Sequence, residues 1–286
     1  MDHKYMARRW VQKWANLGAM EITQEMIEEF LLERSKRSPD TANKELRCLR
    51  ALFNFAKKRK WISENPCDGI SMFPVEKRIK YVPPPEDVEK VIAWADRETQ
   101  DYLRTIQDTM ARVSEINGLT WDDVDFPNKC IILYTRKKKG GHLSPRRIPL
   151  TDRLLQILSR RHALQDPAKP WVFWHTYWSS KTGERCEGPY KDRKKIMKVL
   201  CEKAGVRYFR FHALRHCGAS LMEQNNVSIG TIQRLLGHEN RLTTEIYLHT
   251  LGNPEREAMW ILERAESLTQ SLTQQSSPPT PLAVSC

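Results

Sequence analysis

The residues best suited to chemistry lie between Phe211 and Tyr247, a stretch that reads FHALRHCGAS, later LLGHEN, and then TTEIYLHT. His212 and Arg215 are three residues apart, so on a helix they share one face. His238 follows the apolar turn Leu235-Leu236-Gly237, and Tyr247 stands nine residues beyond it. A tyrosine phenol, with a pKa of about 10, is a poor nucleophile at neutral pH unless a base or a positive field acts on it. Guanidiniums supply such a field and grip phosphate oxygens in fork geometry. Taken singly, these residues have plainer readings. A Tyr in the setting IYLH is most often a half-buried packing residue. His212 and His216 form a metal-like i, i+4 pair, but no Glu occupies the HExxH position and no third ligand is evident. His216 and His249 therefore read as structural, and no metal or cofactor is expected.

Taken in order, the HxxR pair, the LGH turn and a Tyr nine residues after its His resemble the C-terminal signature of the tyrosine recombinases, the family of phage integrases and Xer-type recombinases. The segment ARVSEINGLTWDDVDF, residues 111–126, is similar to that family's first arginine box through Arg112, Glu115, Gly118-Leu119, Trp121, Asp122 and Asp125. The resemblance is strongest from about residue 86 to 250.

The resemblance implies Tyr247 as the nucleophile, Arg112 and Arg215 as the phosphate clamp, and His212 as the proton-handling residue beside Tyr247. It implies His238 as a hydrogen-bond donor to the phosphate and Glu115 as the acid that orients the first arginine. The chemistry agrees. Two guanidiniums on one phosphodiester stabilise a pentavalent transition state, and loss of one such donor typically costs about 10²–10³ in rate. The 5′-oxygen leaving group needs a proton, for which a lysine is a suitable general acid. The family's K-x-G spacing points to Lys138 when read from Gly140 and to Lys139 when read from Gly141, and Lys138 is favoured. The product would be a 3′-phosphotyrosyl bond that rejoins without ATP. The implied enzyme is a site-specific DNA recombinase acting in integration or excision, with no cofactor. Its implied partners are double-stranded DNA carrying a recombination site, three further copies in a homo-tetramer, and accessory DNA-bending proteins. The alternatives are a type IB topoisomerase, which relaxes DNA with the same tyrosine chemistry, and a non-catalytic DNA-binding relative.

The chain has to build the elements that carry these groups. Its 286 residues allow two domains, and a formal net charge of +12 favours a polyanionic partner. Seven scattered cysteines without CxxC pairs read as reduced thiols. No run approaches transmembrane length and the N-terminus lacks an apolar signal core, so a cytoplasmic protein with no membrane partner is expected.

Residues 3–60 read as three helices. The first carries Met6, Trp10 and Trp14 on one stripe, and the second starts from Thr23 as N-cap with Ile27, Phe30 and Leu31 facing inward. On the third, Leu46, Leu49, Leu52, Phe53 and Ala56 share one side, with Arg47, Arg50, Lys57 and Lys58 roughly opposite. That basic side is the candidate DNA-binding face, although most such charge runs are merely solvated.

Residues 71–85 mix proline with charge and read as a linker. Pro84-Pro85-Glu86-Asp87 starts the next helix. Residues 129–135 and 146–150 read as a strand and its return around a basic tip, and Thr151 is the N-cap of the helix over 151–162. Residues 170–190 read as a short aromatic strand followed by a polar loop without chemistry, and 190–205 as an amphipathic helix. Residues 254–268 suit one more helix, able to dock on a neighbouring copy.

The fold class implied is mainly α with a small antiparallel β-sheet. A helical core-binding domain (1–70) and a linker (71–85) precede a mixed α/β catalytic domain of the tyrosine recombinase type (86–268) and a polar, Pro-rich tail (269–286) expected to be disordered. The chain opens too close to its first helix to hold the arm-binding domain that some relatives carry.

Overall fold

The computed structural model describes residues 3–76, 81–136, 142–191 and 193–238. The chain divides into two compact units, Met1–Arg78 and Ile79–Cys286.

The first unit is built from α1 (His3–Lys13), α2 (Gln24–Arg37) and α3 (Pro39–Lys58). Thr23 caps α2 by accepting the Met26 N–H at 3.4 Å. Ser38 closes α2 through its own N–H and opens α3 by accepting the Thr41 N–H at 3.2 Å, with Pro39 in the first turn. Met6, Trp10 and Trp14 bury against Ile27, Phe30 and Leu31, and against Leu46, Leu49, Phe53 and Ala56. A single buried carboxylate ties the helices together. Glu45 of α3 accepts from the Arg9 guanidinium at 2.5 Å, from Trp10 Nε1 at 3.2 Å and from Arg34 Nε at 3.1 Å. Leu52 departs from the expected stripe: it is 49% exposed. At 100° per residue it falls about 60° outside the arc set by Leu46, Leu49 and Phe53.

The second unit holds the larger core. Helices α4 (Pro85–Ala93), α5 (Arg97–Thr109), α7 (Asp152–Ala163), α8 (Lys194–Lys203) and α9 (Phe211–Gln224) surround a small sheet, with short α6 (Val113–Asn117) and α10 (Ile229–Leu236) at its margin. The sheet is antiparallel, β1 (Val124–Asp125), β2 (Cys130–Arg136) and β3 (Leu143–Pro149) in that order. Its β2–β3 register runs from Cys130 opposite Pro149 to Arg136 opposite Leu143. Ile131, Leu133 and Ile148 face the core with Tyr102, Leu103 and Ile106 of α5 and Leu214 of α9. Asn117, at the end of α6, accepts from the Tyr102 hydroxyl at 2.5 Å and donates to the Lys191 carbonyl at 2.8 Å, which seats α6 on the core.

Residues 170–190 differ from expectation. They form a second antiparallel hairpin, β4 (Trp174–Ser179) and β5 (Glu184–Pro189), rather than one strand and a loop. Gly183, with φ +69°, supplies the left-handed turn that closes it. The return strand ERCEGP is largely exposed, so it lacks the apolar alternation by which strands are recognised. Among the described residues, no helix is long and apolar enough to cross a membrane, and no group of His, Cys, Asp and Glu comes together in a form that could hold a metal.

Candidate active site

Arg112 owes its position to the way α5 ends. Met110 caps that helix in the left-handed conformation (φ 50°), held by its N–H to the Gln107 carbonyl, and Thr109 Oγ1 accepts the Ala111 N–H at 3.2 Å. The chain thus turns sharply and restarts as α6 with Arg112 at its N-cap. Glu115, three residues on, reaches back to accept the Arg112 backbone N–H at 2.8 Å. The same carboxylate accepts from the Arg112 guanidinium at 3.1 Å and from the Thr135 hydroxyl of β2 at 2.7 Å.

Glu115 has a second and larger partner. Arg146 of β3 donates Nη1 to Glu115 Oε1 at 3.0 Å and Nη2 to Oε2 at 2.6 Å, a bidentate pair. The Glu115 side chain is 5% exposed. Burial by itself would raise its pKa, but the hydrogen bonds and charge of Arg146, the Arg112 N–H and the Thr135 hydroxyl outweigh burial and hold it down at about 2. Glu115 is a carboxylate at every working pH.

Arg215 is 1% exposed, a burial that few arginines reach. It lies on α9 with its Nη1 on the Met110 carbonyl at 2.5 Å and its Nη2 on the Leu236 carbonyl. One helix terminus therefore sets both arginines: Met110 turns the chain toward Arg112 and holds Arg215. His212, one turn earlier on α9, is exposed, and its ring packs edge-on against buried His216 at 4.7 Å between centroids.

The turn after α10 carries the second histidine. Gly237 adopts φ +62°, and a Cβ there would sit 3.1 Å from Arg146 Cδ and Nη1. Glycine thus answers both the backbone and the space. The His238 N–H bonds the Gln233 carbonyl at 3.2 Å, and Gln233 Nε2 bonds the His238 carbonyl at 3.1 Å. Arg215 Nη2 lies 2.9 Å from His238 Nε2. A guanidinium only donates, so Nε2 accepts and the ring is the Nδ1–H tautomer. Burial, then the positive charges of Arg215, Arg112, His212 and Arg146, lower the His238 pKa to about 4. The imidazole is neutral at pH 7, in a field that an anion would relieve.

Four of the residues singled out in the sequence therefore meet in one place: Arg112, Glu115, Arg215 and His238, with His212 alongside. Lys138, Lys139 and Tyr247 lie outside the described residues, as do His249 and the segments over 254–268 and 269–286. Of the basic residues on α3, Arg47, Lys57 and Lys58 are exposed. Arg50 is not presented as they are. It donates to the Cys67 carbonyl at 3.2 Å and to the Ile70 carbonyl, strapping the segment after α3 onto the helix.

Comparison with known proteins places the chain in a family. Residues 84–253 match the model described as the phage integrase family. The chain belongs to the phage integrase family. Residues 4–72 match the phage integrase SAM-like domain. Among curated relatives, a tyrosine recombinase of Thermosipho africanus is 27% identical over 252 residues, covering 83% of this chain and 84% of the relative. The tyrosine recombinase XerC of Chlamydia muridarum is 28% identical over 239 residues, covering 80% and 73%. Of solved structures, the Tn1549 transposon integrase in complex with circular intermediate DNA superposes with TM-score 0.67 at 20% identity, covering 91% of this chain and 94% of that one. A lambda integrase dimer bound to a COC′ core site gives 0.65 at 17% identity, covering 88% and 91%. These likenesses establish the fold: a helical SAM-like domain ahead of a mixed catalytic domain.

In this phage integrase family member, sequence patterns did not single out Arg146, Thr135 or Gln233. For Arg146 the signal was present in part. Ser144, Arg146 and Ile148 alternate on the inward side of β3, so an arginine shares a strand face with a core isoleucine. An inward guanidinium needs acceptors for its N–H groups.

Proposed function

We propose that this chain is a site-specific DNA recombinase that cuts and rejoins double-stranded DNA through a 3′-phosphotyrosyl intermediate. The observation that carries the reading is that Arg215 meets His238 at 2.9 Å beside Arg112, where burial and then the surrounding positive charges lower the His238 pKa to about 4 and invite an anion. A phosphodiester is the anion that two guanidiniums and an imidazole N–H suit.

In this mechanism the Tyr247 hydroxyl attacks the scissile phosphorus. The new bond is Tyr247 Oη to phosphorus, and the bond broken is phosphorus to the 5′-oxygen. His212, exposed one helical turn from Arg215, takes the phenol proton. Lys138, or Lys139 in its place, gives a proton to the departing 5′-oxygen. Arg112 and Arg215 hold the non-bridging oxygens as charge builds in the transition state, and Glu115 keeps Arg112 in register. Displacing Arg215 Nη2 from His238 toward the phosphate frees the ring to turn and present an N–H to the same group. Rejoining reverses these transfers with a 5′-hydroxyl from another strand. The phosphotyrosyl ester conserves the energy of the bond it replaced, so neither a metal nor ATP enters the balance.

Residues 1–70 are the core-binding domain, joined through 71–85 to the catalytic domain (86–268) and its tail (269–286). Exposed Arg47, Lys57 and Lys58 face the DNA backbone, where lysine and arginine displace counterions. The active form is a homo-tetramer on two sites, in the cytoplasm, serving integration or excision of a mobile element with help from DNA-bending proteins. The test is strand exchange between two labelled duplexes of different length, each carrying the native site drawn from DNA flanking the coding sequence. Recombinant duplexes in the presence of EDTA are expected. Relaxation of supercoiled plasmid without recombinants would overturn the recombinase reading in favour of a topoisomerase.

A further inference from the structure

Arg146 meets the site from a strand that carries none of the residues assigned above. Its three guanidinium nitrogens are all engaged. Nη1 and Nη2 take both oxygens of Glu115, Nη1 also meets Thr135 Oγ1 at 2.6 Å, and Nε donates to the Leu235 carbonyl at 3.1 Å. The side chain is 10% exposed. It thus joins α6, β2 and the last turn of α10, three elements whose sequence positions lie far apart. Gly237 leaves it room, since any Cβ there would press on its Cδ and Nη1.

Glu115 faces two arginines but treats them unequally. Arg146 holds it with a fork at 3.0 and 2.6 Å, whereas the Arg112 side chain contributes one guanidinium nitrogen at 3.1 Å and remains 36% exposed. A buried carboxylate with a single guanidinium partner would draw that partner into the bidentate pair. Here Arg146 occupies that geometry.

We infer that Arg146 is a positioning residue for strand cleavage: it satisfies Glu115 so that Arg112 stays available to the phosphodiester, and it pins the α10 turn that carries His238 to the same anchor. This inference rests on the recombinase reading. Arg146 does not touch the reacting atoms; it sets how strongly Glu115 competes with DNA for Arg112. Without it, Glu115 recruits Arg112 into its own pair, and cleavage slows although DNA still binds through the many other basic groups.

The test uses the full chain on a nicked duplex carrying the native site, with covalent adduct formation timed separately from DNA affinity. Arg146→Met is expected to slow adduct formation by about 10-fold to 100-fold, less than the ~10²–10³ of removing a direct transition-state donor, while affinity changes by less than about threefold. Arg146→Lys restores only part of the rate, because an ammonium cannot fork onto both oxygens. The deciding variant is the double, Arg146→Met with Glu115→Gln. A neutral amide does not capture Arg112, so the double variant is expected to form adduct faster than Arg146→Met alone. Arg146 holding the fold and nothing more would instead give a double variant slower than either single one. That result would overturn the inference, as would a wild-type rate in Arg146→Met. If Arg146→Met fails to fold by thermal melting, Arg146→Lys with and without Glu115→Gln makes the same comparison. A wild-type chain that binds the duplex and forms no adduct would bring down the recombinase reading itself, and this inference with it.

Discussion

The buried carboxylate at the centre of the site makes the second unit acid-sensitive in a way that one substitution can isolate. Glu115 has its pKa lowered from 4.5 to about 2 in the folded chain. A tenfold change in proton affinity is worth about 1.4 kcal/mol, so the interactions of the ionised form contribute on the order of 3 kcal/mol at neutral pH. The side chain is 5% exposed, so solvent screening takes little from that figure. The folded value lies below the unfolded one. The contribution is therefore complete above about pH 5 and is lost as pH falls through 4.5 toward 2. Glu115→Gln keeps the shape and removes the proton linkage. Urea denaturation of both proteins, followed at several pH values between 7 and 2.5, gives the difference in stability, in which the other acid-sensitive groups cancel. The difference should be largest at pH 5–7 and shrink by about 3 kcal/mol on approach to pH 2.5. A difference that stays constant across that range would refute the assignment of Arg146 and Arg112 as charge partners of an ionised Glu115.

Three further outcomes are expected. The His238 ring, with a pKa of about 4, should titrate well below an ordinary histidine in NMR spectra of the free chain, and its value should rise when DNA places a phosphate beside it. Because that folded value is depressed, its share of stability is present above about pH 6.5 and is lost toward pH 4; an unchanged value on DNA binding would deny the phosphate contact. Gly237→Ala and Gly205→Ala both force alanine into left-handed backbone, at φ +62° and +65°, but only position 237 adds a contact, 3.1 Å from Arg146. Each should cost about 1–2 kcal/mol in melting experiments, and only Gly237→Ala should slow cleavage; equal effects on cleavage would contradict the packing of Arg146 beneath the turn. Glu45→Ala leaves Arg9, Arg34 and Trp10 without their shared buried acceptor. It should destabilise the first unit by about 3–5 kcal/mol, read by hydrogen exchange in α1–α3, with exchange in α9 unaltered.

What could be read from the sequence was what the chain determines locally. His212 and Arg215 are an i, i+3 pair that helical periodicity put on one face, whereas Arg112 and Glu115 were legible through the resemblance of residues 111–126 to the family's first arginine box. Thr23 and Thr151 were legible as caps because a cap is satisfied within three residues, and both accept the expected N–H. The partners of Arg146 were not legible, because they lie 31 residues back at Glu115 and 89 residues ahead at Leu235. Only the folded sheet brings them to it. The same limit hid the role of Arg50, whose carbonyl partners lie 17 and 20 residues on. Helical projection grouped it with the basic side of α3 without showing that the following segment folds back over it. The β4–β5 hairpin escaped for a different reason. A two-stranded ribbon with an exposed return strand buries too little to impose an apolar alternation, and its turn is marked only by Gly183.

The central claim concerns a covalent bond, so the most direct measurement looks for it. The wild-type chain and Tyr247→Phe are incubated with a nicked suicide duplex bearing the native site, where cleavage releases a short strand that cannot return. The products are denatured, and the protein–DNA adduct is mapped by peptide mass. A denaturation-resistant adduct joining Tyr247 to a 3′-phosphate, formed by the wild type in EDTA and absent from Tyr247→Phe, is the predicted result. Binding of the duplex by both proteins with no adduct from either would contradict the account and leave a DNA-binding protein in place of the enzyme.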